Sequence, residues 1–267
     1  MGLRDLIDRY DILKLGKEDS KKSARREIYQ SRRIKSILDD IANEFVEFIR
    51  DIPTWKFEFM EEIFKFGRKI YKECRLSLEE IERMFNYVLP NYVQGGMLGS
   101  FISGLYHDAM DEDDALMLDL RNYYGSVSGL GYRHRRGKLK IIGNKAFCLG
   151  FGMKGGKIEV KGNVGNYLGR YMEDGTIVVV GNAKDWVGEC MKGGKITIKG
   201  NAGNVVGEKM EGGEIIIEGN AGFWVGDDMK GGVIKIRGNV RSVSYERWGG
   251  KIYVWRNGWI EIERVEL

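Results

Sequence analysis

Proline is almost missing from this sequence: Pro53 and Pro90 are the two in 267 residues. Histidine is as scarce, with His107 and His134 alone. Zinc catalysis draws on several histidines, so the usual ligand sets are excluded. The three cysteines, Cys74, Cys148 and Cys190, have neither metal-ligand spacing nor an even count for disulfides. That suits a reducing cytoplasm. The N-terminal stretch MGLRDLIDRYDILK lacks the apolar core of a signal peptide. No apolar run approaches the length of a membrane span. A cytoplasmic protein without membrane contact is expected. The net charge of +4 is mild and selects no class of partner.

Glycine, by contrast, is abundant at 38 residues and concentrated in the second half. A Gly-Asn pair recurs at Gly143-Asn144, Gly162-Asn163, Gly181-Asn182, Gly200-Asn201, Gly219-Asn220 and Gly238-Asn239, every interval being 19 residues. Met153, Met172, Met191, Met210 and Met229 keep the same step. So do Gly150, Gly169, Gly188, Gly207 and Gly226. A fixed period near 20 residues is the signature of a solenoid.

Within one repeat, Gly194 to Asn201, Ile196 and Ile198 alternate with Lys195, Thr197 and Lys199, the period of a half-buried strand. The inward pair recurs as Ile158/Val160, Ile177/Val179, Ile215/Ile217 and Ile234/Ile236. The Gly-Asn pair that follows reads as a corner, since both residues take positive φ easily. A second short segment places Leu149, Leu168, Val187, Val206 and Val225 in one inward column. A helix needs about 10 residues or more, and no room remains for one. Each repeat is therefore one turn of a β-helix, with strands in parallel register. Methionines and isoleucines are read as core filling.

Stacked turns place residues 19 apart at roughly 4.8 Å. Lys154, Glu173, Lys192, Glu211 and Lys230 alternate in sign down one such column, and Lys199, Glu218 and Arg237 down another. Opposite charges help across strands. Asn163, Asn182, Asn201 and Asn220 are expected to form an amide ladder.

The first half differs. Lys14 to Lys35 is basic but interspersed with acids, which favours a solvated helix over a nucleic-acid-binding face. Ile34, Ile37, Leu38, Ile41, Phe45, Phe48 and Ile49 follow helical spacing, and Asp51-Ile52-Pro53 breaks the helix. Trp55, Phe59, Ile63, Phe66 and Ile70 continue in a second helix. Ser77-Leu78-Glu79-Glu80 is a capping box, predicting a helix over about 78–88 that Pro90 ends. Gly96, Ser100 and Gly104, at steps of four, suit close approach of another helix; the phosphate-binding loop pattern is absent. His107 beside Asp108, Asp111 and Glu112 lacks a second metal anchor and reads as a helix end before an acidic turn. Asp113 to Tyr124 is predicted as a last helix and 125–137 as a hinge. In that hinge Arg133, Arg135 and Arg136 are solvated or contact the acidic 111–114 run. The expected division is a helical domain over 1–127 and a β-helix over 128–267. After Asn239 the repeat decays, and Trp248, Tyr253, Trp255 and Trp259 suggest a C-terminal cap over strand edges.

Two columns invite chemistry. Arg170, Glu189, Glu208 and Asp227 stack three carboxylates about 5 Å apart, near the separation used by retaining glycosidases, or suited to a cation. The plainer reading is a solvated turn neutralised by Lys209 and Arg170. The column Cys148, Tyr167, Trp186, Val205 and Trp224 should face outward, and a row of outward aromatics marks an interface. Its partner is either the helical domain or a foreign protein; a bend at the glycine would instead turn it inward.

The spacing Gly162-xx-Gly165-xxx-Gly169, repeated as Gly200/Gly203/Gly207 and Gly219/Gly222/Gly226 and followed by Met-x-Gly-Gly, resembles the GXGXG β-helix family. That family includes the C-terminal domain of the glutamate synthase large subunit and the β-helical subunit of formylmethanofuran dehydrogenase. The match covers roughly residues 130–260. Ala146 and Lys184 depart from it at the middle glycine. The resemblance implies a right-handed β-helix without catalytic residues or cofactor, serving as a scaffold within an oxidoreductase or a homo-oligomer. The alternative is a carbohydrate-active enzyme using Glu189, Glu208 and Asp227.

Overall fold

The computed structural model of the chain describes residues 24–50, 59–93, 96–144 and 146–263, with side-chain surroundings from residue 36. The break at Asp51–Pro53, Trp55 and most of the basic Lys14–Lys35 stretch lie outside the described residues.

Helices come first: α1 (Ala24–Ile49), α2 (Met60–Cys74), α3 (Leu78–Arg83) and α4 (Leu98–Tyr106). The apolar positions of α1 behave as their spacing predicts, with Ile37, Leu38, Ile41 and Phe45 fully buried. Ser77 Oγ accepts from the Glu80 N–H and Glu80 returns a bond to the Ser77 N–H, so the capping box is present. Past α3 the backbone widens into a π-turn, Met84–Val88, and tightens into a 3₁₀ turn, Leu89–Asn91, containing Pro90. The small-residue steps of α4 do admit a helix. A Cβ on Gly104 would lie 3.0 Å from the Gly67 Cα of α2. Phe45 and Phe101 stack beside this crossing at 4.2 Å.

The rest of the described chain winds into a parallel β-solenoid. Its sheet orders β1 (Ala115–Asp119), β3 (Lys138–Ile142), β5 (Lys154–Lys161), β6 (Asp174–Val180), β7 (Lys195–Ile198), β8 (Glu214–Ile217), β9 (Val233–Ile236), β10 (Lys251–Trp255) and β11 (Trp259–Glu261). Neighbours are parallel throughout except β10 and β11. Eight parallel strands make about seven turns. Leu139, Ile158, Ile177, Ile196, Ile215 and Ile234 pair in sequence, each 19 residues after the last. They are buried with the methionine column and form the interior. The final pairing, Ile234 with Ile252, is 18 residues long. The short strands β2 (Val127–Ser128) and β4 (Ala146–Phe147) pair on a second face.

Two expectations at the start of the solenoid are corrected. Asp113 to Tyr124 is not a helix. It contains β1, whose Leu116 and Leu118 pair with Leu139 and Ile141 and are wholly buried. The helix-favouring run Ala115-Leu116-Met117-Leu118 yields to this pairing, because alternation puts Leu116 and Leu118 on the core face. Nor is 125–137 a hinge: it is a regular half-turn, in which Leu130 lies one period before Leu149 and His134 occupies the place of the methionines.

The charge columns are only partly realised as ion pairs. Lys154 meets Glu173 at 3.1 Å, and Lys199 pairs with Glu218. Lys195 and Glu214 pair at 2.7 Å in a column not anticipated. The asparagine ladder forms, but chiefly from backbone to side chain. The N–H groups of Asn163, Asn182, Asn201, Asn220 and Asn239 each donate to the Oδ1 of the asparagine one turn earlier, at 2.7–2.8 Å. The paired glycine is required by closeness here: a Cβ on Gly219 would come within 2.5 Å of Asn201 Oδ1.

Candidate functional site on the aromatic and acidic corner

Each turn bends sharply where the aromatic and acidic columns lie. Tyr167, Trp186, Val205 and Trp224 have φ of 63°, 59°, 59° and 57°, and Tyr171, Cys190, Lys209 and Asp228 have φ of 55°, 54°, 52° and 51°. L-residues rarely adopt this left-handed conformation. Between these corners Leu168, Val187, Val206 and Val225 point into the core. The bend is therefore real, yet the aromatic column faces outward. Its exposure grows along the axis. Cys148 is buried, Tyr167 and Trp186 are half-buried, and Trp224 is 58% exposed.

Tyr167 and Trp186 stack at 5.1 Å with planes 16° apart, as 19-residue stacking requires. The Arg170 guanidinium lies among three rings, 5.2 Å from Tyr167, 5.0 Å from Tyr171 and 5.8 Å from Phe151. It pairs with Glu189 at 3.0 Å. Glu189 is 8% exposed, and its Oε2 has no hydrogen-bond partner. Burial raises its pKa above the ordinary carboxyl value; Arg170 opposes the shift and Glu208 adds to it. Glu208 pairs with Lys209 at 2.9 Å, and Asp227 accepts from Ser244 Oγ at 2.6 Å. Each carboxylate thus has its own local partner, the arrangement of a neutralised turn. Among the described residues no three His, Cys, Asp or Glu side chains are grouped to hold a metal.

The Cys148 thiol is pushed up to about 12 by burial, which makes it a poor nucleophile near neutrality. The two histidines sit elsewhere. His107 packs edge-on to Phe64 at 5.0 Å, and His134 lies beneath Tyr106. The three basic residues tie the first turn to the helices: Arg133 to Glu61 at 3.1 Å, Arg135 to Asp108 at 3.1 Å, and Arg136 to Asp111 at 3.0 Å. Only Arg136 meets the acidic run named from sequence.

Gly162, Gly200 and Gly219 line the ladder corner, and Gly165, Gly203 and Gly222 follow three residues later. Gly169, Gly207 and Gly226 all have positive φ and face isoleucine tips of the next turn. One element was missed. Asn166, Asp185 and Asn204 form a second ladder, with Asp185, Asn204 and Phe223 N–H groups donating to the preceding Oδ1 at 3.3, 2.7 and 3.0 Å. The signal was available, three residues after each Gly-Asn asparagine.

The acidic column ends in an open cavity of about 640 Å³ beside the 18-residue turn, lined by Trp224, Asp227 and the 242–246 segment. In comparisons with known proteins, no family model matches this chain and no curated protein matches it either. Among the described residues, no helix is long and apolar enough to cross a membrane.

Proposed function

We propose that the protein is a non-catalytic scaffold or interaction subunit, a helical domain over 1–127 joined to a right-handed β-helix of the GXGXG type over 128–267. In this reading it works in the cytoplasm with a multi-subunit oxidoreductase of the glutamate synthase or formylmethanofuran dehydrogenase kind. The supporting observation is the exposed aromatic surface at the C-terminal turns: Phe223, Trp224, Tyr245 and Trp248 are 41%, 58%, 68% and 66% exposed. Large aromatics left in water on a rigid stack cost free energy that a partner's surface recovers. The local neutralisation of Glu189, Glu208 and Asp227 supports the same reading over the carbohydrate-active alternative.

The test is isolation of the tagged full chain from its native cell, with mass and cofactor absorbance of the complex recorded. A stable complex with a flavin- or iron–sulfur-bearing subunit, weakened by Trp224→Ala, is expected. A lone monomer that turns over a substrate would refute the proposal.

A further inference from the structure

The cavity at the end of the acidic column has a distinctive chemistry. Trp224 forms one wall and Tyr245 another, both largely exposed. Asp227 and Glu246 supply two carboxylates, and no lysine or arginine lines the cavity. The neighbouring cations are committed elsewhere. Arg247 turns inward to donate to the Ile262 carbonyl at 2.8 Å, Arg241 lies over the Phe223 ring at 5.4 Å, and Lys209 pairs with Glu208. Ser244 fixes Asp227, and Ser242 Oγ accepts from the Trp224 N–H at 2.9 Å, so the walls are held from behind.

We propose that this cavity binds a guanidinium group, the side chain of an arginine on the partner polypeptide. A planar cation stacks on an indole face while its N–H fork meets carboxylates. Anions are repelled by both acids. A neutral sugar would stack on Trp224 but gain nothing from the uncompensated charge. The shortened last turn makes the site: one residue fewer between Trp224 and its counterpart Ser242 replaces a further stacked ring with a small side chain. The identity of the carrier rests on the scaffold reading; the cation preference does not.

The experiment titrates purified full-length protein with N-acetyl-argininamide and follows the Trp224 indole N–H resonance, assigned through Trp224→Phe. A saturable shift at millimolar probe is expected, with no shift from the uncharged isostere N-acetyl-citrullinamide. Glu246 carries an exposed carboxylate that pairs with no other described side chain, so Glu246→Gln should leave the fold intact and weaken binding about tenfold. Equal response to citrulline, undiminished binding by Glu246→Gln, or response only to methyl glucoside would overturn the proposal. A native complex that forms equally well with Glu246→Gln overturns the cavity assignment alone. Retained probe binding with no native complex supports the cation site and removes the scaffold reading.

Discussion

The side chain of Asn86 stands where a neighbouring strand would lie beside Asp119. The Asp119 N–H donates to Asn86 Oδ1 at 2.8 Å, and Asn86 Nδ2 donates to the Met117 carbonyl at 3.0 Å. Glu82 accepts from the Met117 N–H at 2.9 Å. A carboxamide offers one donor and one acceptor, as a peptide group does, so it caps the edge of β1. The helices thereby close the N-terminal end of the solenoid. Replacing Asn86 with leucine leaves an N–H and a carbonyl without partners. A loss of about 1–3 kcal/mol is expected, read as a lower urea midpoint; an unchanged midpoint would show that the edge does not need the amide.

His134 makes stability depend on pH. It is 1% exposed, and burial holds its pKa down at about 4. The unfolded residue titrates near 6.5. Between these values the unfolded chain takes a proton that the native protein refuses. Stability is therefore full above about pH 6.5, falls as pH drops toward about 4, and levels off below. The loss is about 3 kcal/mol, with a smaller contribution from the partly exposed His107, lowered to about 4 by burial and then by Arg135. Because His134 occupies the methionine column, His134→Met should remove its share. Urea unfolding from pH 7 to pH 4 measures both curves.

Val205 is a β-branched residue at φ 59°. That conformation costs about 1–2 kcal/mol for such a side chain. Val205→Asn should raise the melting temperature by a few degrees, roughly 1 kcal/mol of stabilisation. A lower melting temperature would mean that contact with the flanking turns outweighs the backbone strain.

Glu189 and Glu208 occupy the same column but should respond differently to alanine. Removing Glu189 strands the largely buried Arg170 charge, at a cost of about 3–5 kcal/mol. Removing Glu208 breaks only an exposed pair with Lys209, worth about 0–1 kcal/mol. Thermal denaturation of the two variants side by side distinguishes them, and equal effects would contradict the burial difference. Under the scaffold reading, Glu208→Gln also leaves carbohydrate binding and hydrolysis unchanged from the wild type.

From Leu139 to Ile236 the sequence alone determined the winding: inward isoleucines, methionine column, Gly-Asn corners and asparagine ladder. In a stack, each residue's neighbours are its own counterparts 19 positions away, so the environment of every position is written in the repeat itself. Where the winding ends that symmetry fails. Leu116 and Leu118 become a strand only because β3 offers an edge, and Asn86 becomes structural only because nothing else covers that edge. His134 enters the core in place of methionine, and the 18-residue turn opens a cavity beside Trp224. Those outcomes were decided by tertiary contacts between dissimilar segments, which no periodicity encodes.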